Sequence, residues 1–202
     1  HLVSGCKHDE ISLSSKVIIY IFLIFIWLFA MFPLIKDSIH GFKRTYINDI
    51  LSIITIVGLC VLPIAFFQKF AINSFLQGQS FSGISPSEMG VLLFSSLIYA
   101  PIVEELMCRG GITQILKYQF KCDDKVVILI TTVIFSLLHI LKLESCFIDR
   151  ICSFCIYSIL GGACGYIYYK TNNILCAILT HSLWNAYMII GSLIRYMVKL
   201  HN

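Results

Sequence analysis

The chain has 202 residues, of which 58% are hydrophobic and only 13% charged, and its mean hydropathy is +0.86. Soluble domains carry about twice this share of charged residues, so the composition excludes an ordinary soluble domain and predicts an integral membrane protein. The net charge of +4 is small and scattered, which excludes nucleic acid as a partner.

Six apolar segments approach the roughly 20 residues that a helix needs to cross the hydrocarbon core of a bilayer. We therefore predict an all-α, polytopic transmembrane bundle of about six spans, forming a single membrane domain over residues 1–202. The third segment is long and the fourth is short, and Ser85 and Pro86 before the third are typical of a helix start. The predicted spans are 16–35, 48–68, 90–116, 126–141, 148–169 and 174–197.

Lys and Arg residues are distributed unequally among the predicted loops. If the six spans alternate, the loops after spans one, three and five carry seven Lys and Arg residues against three in the other loops, which places the first group in the cytoplasm. Counting the tails removes this difference. The seven residues are Lys36, Lys43, Arg44, Lys117, Lys121, Lys125 and Lys170.

Spans one and two have no ionisable residue between their flanks and are predicted to be scaffold. By contrast, Glu104 and Glu105 lie in the middle of span three, and His139 and His181 are embedded in spans four and six. An ionisable group in the hydrocarbon region costs a few kcal/mol or more, so it normally faces the interior of the bundle and marks a functional site.

Helical geometry separates the two glutamates. Glu105 and Arg109 are spaced i,i+4 with the acid first, the favourable order for an ion pair on one helix face. Glu104 points about 100° away from Glu105 and is left to face another partner. Pro101 removes a backbone donor just before this pair and is expected to kink the helix.

The depths of Glu104 and His139 in the bundle match, and the start of span six places two further polar residues within reach. At a rise of 1.5 Å per residue, Glu104 lies about 18 Å from the end of span three, and His139 lies about 20 Å from the start of the antiparallel span four. Span six places His181 and Asn185 at about 10 and 16 Å from the same side. Phe135 shares a helix face with His139, as His181 does with Asn185, so we expect these side chains to meet Glu104.

A carboxylate, two imidazoles and an amide can hydrolyse a peptide bond without a covalent intermediate. Glu104 can act as a base that activates water, and imidazole and amide N–H groups can donate hydrogen bonds to the oxyanion. An alternative is a zinc site with Glu104, His139 and His181 as ligands, because three protein ligands and a water form the usual catalytic pattern. Apart from this zinc alternative, no cofactor is predicted.

Three motifs resemble those of the CPBP intramembrane metalloprotease-like family, which includes CAAX prenyl endopeptidases and bacteriocin-processing and immunity proteins. They are EELMCR at Glu104, Glu105 and Arg109, FSLLH at Phe135 and His139, and HSLWN at His181 and Asn185. The resemblance implies that Glu104 activates water with help from His139, and that His181 and Asn185 stabilise the oxyanion. It also implies supporting roles for Glu105, Arg109 and Phe135 in a glutamate-type mechanism.

The resemblance therefore predicts an intramembrane endopeptidase in a bacterial cell membrane, which processes a small peptide, leader or bacteriocin-type substrate that enters from the membrane or the cytoplasm. Alternatives are a non-catalytic bacteriocin immunity or binding protein, a CAAX prenyl-protein endopeptidase, and a transporter or proton relay that uses the buried Glu and His. The sequence does not predict an oligomeric state.

Overall fold

The structure is a computed structural model, and it describes residues 12–71, 85–141 and 147–201. Within these ranges the chain forms seven helices and no strand, which confirms the predicted all-α class. The helices are α1 (Leu13–Ala30), α2 (Phe32–His40), α3 (Thr45–Ala71), α4 (Pro86–Gln119), α5 (Asp124–Ile140), α6 (Phe147–Thr171) and α7 (Ile174–His201).

Five of these helices, α1, α3, α4, α6 and α7, are long and apolar enough to cross a membrane. The fourth predicted span is α5, which has 17 residues and a length of about 25 Å, slightly less than the hydrocarbon core. The prediction of an integral membrane protein is confirmed, with five helices that meet the length of a span and a sixth just below it.

The first predicted span, 16–35, is wrong at its end. Helix α1 ends at Ala30, and Pro33 lies in the first turn of a separate short helix, α2, where its missing N–H costs nothing. Ser38 on α2 is buried, and its hydroxyl accepts a hydrogen bond from the backbone N–H of Ile174 at 3.1 Å. The short helix is thereby fixed to the start of α7.

Helix α4 begins as the sequence predicts and then departs from regular α geometry. Ser85 and Glu88 form a capping box in which each side chain accepts a hydrogen bond from the other residue's backbone N–H. Further along, wider π-helical turns occupy Ser95–Tyr99, Leu106–Ile112 and Ile115–Gln119. Such turns are frequent at functional sites, and two of them flank the segment that carries Glu104 and Glu105.

Helix α6 packs closely against α5 because glycines face the contact. A methyl group added at Gly161 would lie 3.1 Å from Phe135, and one at Gly165 would lie 3.2 Å from Ile128. In contrast, no residue of α1 is buried, so α1 lies at the periphery. The buried core therefore lies among α3, α4, α5, α6 and α7, the same region that holds the ionisable residues.

Candidate active site

The carboxylate of Glu104 faces both embedded histidines. Its Oε2 atom lies 3.5 Å from Nε2 of His139 on α5 and 3.9 Å from Nε2 of His181 on α7. The side chains of Glu104 and His139 keep 26% and 23% of their surface exposed, whereas His181 is buried. Three helices thus bring these residues together around Oε2 of Glu104, which is itself buried and, among the described residues, accepts no hydrogen bond.

The neighbouring carboxylate of Glu105 is buried in an ion pair. Its Oε2 atom lies 3.1 Å from Nη1 of Arg109, and both side chains are almost inaccessible. The guanidinium also donates a hydrogen bond from Nη2 to the backbone carbonyl of Gly161 on α6. This is the i,i+4 pair that the spacing predicts, and it ties α4 to α6.

A second contact of Glu105 was not predicted from the sequence. Nδ1 of His181 lies 3.0 Å from Oε1 of Glu105, so His181 contacts both adjacent glutamates through its two ring nitrogens. The prediction assigned His181 to Glu104 alone. No spacing rule identifies this contact, because it depends on how α7 is rotated against α4.

The hydrogen bonds at Nδ1 determine which ring nitrogens carry protons. His139 bonds the carbonyl of Phe135 through Nδ1 at 2.8 Å, and a carbonyl can only accept. An ionised Glu105 likewise only accepts, so Nδ1 is the donor in both histidines and Nε2 is an acceptor in both neutral rings. Two imidazole acceptors and a carboxylate oxygen therefore converge, which creates a site for a hydrogen-bond donor such as water.

Aromatic rings hold His139. Its ring centroid lies 4.4 Å from that of Phe135 and 4.2 Å from that of Tyr157, with which it is stacked at an interplanar angle of 30°. Phe135 also lies 5.6 Å from the guanidinium carbon of Arg109. Tyr157 was missed in the sequence because a tyrosine inside an apolar span has no spacing that links it to a motif on another helix.

Asn185 makes its contact with the backbone of α4. Its Nδ2 donates to the carbonyl of Ser96 at 2.8 Å. In the π-helical turn, the N–H of Ala100 donates to the carbonyl of Ser95, five residues earlier. The carbonyl of Ser96 would accept from residue 101 in the same register, but Pro101 has no N–H. The amide of Asn185 therefore replaces a backbone donor that the proline removes, and one of its two N–H groups is used in this way.

The same three groups are the ligands of the zinc alternative. Nδ1 hydrogen bonds to a carbonyl and a carboxylate are what metal-ligating histidines usually make, so the donor types of Glu104, His139 and His181 fit. However, in the described ranges no group of three or more His, Cys, Asp or Glu side chains is arranged so that it could hold a metal ion. The zinc alternative thus rests on the donor types of these three residues alone.

Comparison with known proteins identifies one family. The family model described as "Type II CAAX prenyl endopeptidase Rce1-like" matches residues 86–187, just over half of the chain. This range contains all seven predicted site residues, from Glu104 to Asn185. No curated protein and no solved structure matches the chain at a significant level.

Proposed function

The chain belongs to the Rce1-like family of type II CAAX prenyl endopeptidases, a CPBP group of intramembrane proteases, and from this premise we propose that it cleaves a peptide bond with water activated by Glu104. The observation that carries the proposal is the position of Glu104. Its side chain is partly exposed, and its buried Oε2 atom faces Nε2 of both histidines. A water molecule bound there can give up a proton to Glu104.

In the proposed mechanism Glu104 is the general base. It removes one proton from water while the water oxygen attacks the carbonyl carbon of the scissile bond. His139, whose Nε2 lies 3.5 Å from Glu104, assists by sharing this proton. The C–N bond then breaks, and the proton passes to the leaving amine, so no covalent enzyme intermediate forms.

The oxyanion needs donors, and His181 and Asn185 are proposed to supply them. Nε2 of His181 donates to the oxyanion in the imidazolium form of the ring, whose second proton comes from solvent before the water attacks, because Nδ1 already donates to Glu105. Asn185 retains a second N–H beside the one bonded to Ser96. Glu105, Arg109 and Phe135 act through packing and ion pairing, and the mechanism requires no metal.

The proposed substrate is a small peptide, a leader or a bacteriocin-type peptide in a bacterial cell membrane, as resemblance to bacterial members of the family implies. A prenylated CAAX protein is the second candidate, because the description of the matching family names that activity. Parallel cleavage assays with an unmodified leader peptide and a farnesylated CAAX peptide distinguish the two. Tight binding of either peptide without cleavage would instead favour an immunity or binding protein.

The catalytic proposal is tested by Glu104→Gln in purified protein. We expect normal folding and peptide cleavage slowed about 100-fold or more, since the base is removed while the shape is kept. Asp49→Asn is the matched control, because it makes the same chemical change at an exposed ion pair with Lys170. Cleavage by Glu104→Gln at the rate of the control would contradict the assignment.

A further inference from the structure

A narrow slot lies between α4, α5 and α6, away from the catalytic residues. Its empty volume, including the open mouth, is about 370 Å³. Lys117 and Asp124 lie at the mouth, and the buried guanidinium of Arg109 lies at the closed end. Asp124 and His139 are at opposite ends of α5, about 22 Å apart, so the slot and the Glu104 site open at opposite ends of this helix.

The closed end of the slot holds a hydrogen-bond donor that is not used. Within the part of the chain that the structure describes, Nε of Arg109 is buried and has no hydrogen-bond partner, whereas Nη1 lies in the ion pair with Glu105. The hydroxyls of Thr113 and Thr131, which also line the slot, already donate to backbone carbonyls of their own helices. The unused donor of Arg109 belongs to a cation, and the groups that satisfy such a donor best are anions.

The mouth of the slot carries a second cation, Lys117, in an exposed ion pair with Asp124. Nζ of Lys117 lies 2.5 Å from Oδ1 of Asp124, and both side chains are more than one-third exposed. Exposed ion pairs contribute little to stability, so an entering anion can take the place of Asp124 at little cost. The two opposing negative charges are Asp124 at the mouth and Glu105 behind Arg109.

We propose that this slot binds an anionic phosphate group, with Arg109 at its closed end and Lys117 at its mouth. The group is either free phosphate or the phosphodiester of an anionic lipid headgroup, since Lys117 lies at the end of a membrane span. The site is independent of the chemistry proposed at Glu104. A bound anion would nevertheless lie next to the guanidinium that holds Glu105, which in turn holds His181.

The test measures thermal unfolding of the purified full chain in two arms. In neutral detergent, inorganic phosphate is titrated at constant ionic strength with chloride as the replaced ion. In nanodiscs, phosphatidylcholine alone is compared with phosphatidylcholine containing phosphatidylglycerol. Stabilisation in the detergent arm indicates a free anion, and stabilisation only with phosphatidylglycerol indicates a headgroup; either result supports the slot if the variants below respond as expected.

Three variants of exposed residues make the test specific to the slot. Lys117→Gln should weaken the apparent affinity about tenfold, the usual effect of losing one charge-assisted hydrogen bond. Asp124→Asn should strengthen the affinity, because it removes the competing carboxylate. Lys170→Gln, which alters a similarly exposed lysine paired with Asp49, should leave it unchanged. No stabilisation in either arm, or equal stabilisation of all three variants, would overturn the proposal.

Discussion

Nδ1 of His181 lies 3.0 Å from Oε1 of Glu105, while its Nε2 lies 3.9 Å from Oε2 of Glu104. One imidazole therefore connects two adjacent carboxylates with different surroundings. Glu105 is fully buried and contacts Arg109 as well, whereas Glu104 is partly exposed. Because of this difference, the same substitution should affect mainly stability at Glu105 and mainly catalysis at Glu104.

Glu105→Gln should destabilise the protein by about 3–5 kcal/mol, because it leaves the buried charge of Arg109 without a counterion. Chemical unfolding in a fixed detergent measures this change. Arg109→Met should destabilise the protein by a similar amount, because it leaves the buried carboxylate of Glu105 without its cation. The double variant Glu105→Gln/Arg109→Met removes both charges and should recover most of the lost stability. Additive losses in the double variant would show that the ion pair is not what couples these two positions.

Tyr157 is expected to position His139 through its ring and not through its hydroxyl, since the two rings are stacked with centroids 4.2 Å apart. Tyr157→Phe should therefore keep kcat, whereas Tyr157→Leu should lower kcat about tenfold with little change in KM, as expected when a proton-transfer group is misplaced. Steady-state kinetics of both variants measure the difference. Equal loss in the two variants would assign the effect to the hydroxyl, and a change confined to KM would assign Tyr157 to substrate binding.

The ion pair of Glu105 and Arg109 could be predicted because both residues are on one helix, where the spacing determines which side chains meet. The matching depths of Glu104 and His139 followed from the short loop between two antiparallel helices. The stacking of Tyr157 and the contact between His181 and Glu105 depend on how neighbouring helices are rotated about their axes. A single sequence contains no simple pattern for this rotation.

The contact of Asn185 shows a second reason why sequence analysis was incomplete. The prediction placed Asn185 on regular helix geometry and directed its amide at the reacting carbonyl. The π-helical turn at Ser95–Tyr99 changes the hydrogen-bond register, and Pro101 then leaves the carbonyl of Ser96 to a side chain. Pro101 predicted an irregularity in this helix, but not which residue would compensate for it.

The role of Asn185 can be resolved by combining it with Pro101. Asn185→Ala should cost about 1–3 kcal/mol, because the carbonyl of Ser96 loses its donor. In a Pro101→Ala background residue 101 regains an N–H, so the same substitution should cost clearly less. Chemical unfolding of the four proteins in this double-mutant cycle measures the coupling. If stability recovers in Pro101→Ala/Asn185→Ala while kcat stays about 100-fold low, Asn185 also acts on the oxyanion. Strictly additive stability losses would contradict the role of Asn185 as a donor to the backbone.

Cleavage should be insensitive to metal chelators. In the proposed mechanism the proton leaves water for Glu104, with His139 beside it, so each step uses groups of the chain itself. EDTA and 1,10-phenanthroline should leave kcat/KM unchanged within twofold after prolonged incubation, while metal analysis of the same sample monitors bound zinc. A zinc-dependent peptidase assayed beside it confirms that chelation was effective. Loss of activity that returns on adding zinc, and that does not return in His139→Gln or His181→Gln, would contradict the glutamate mechanism and would make Glu104, His139 and His181 metal ligands.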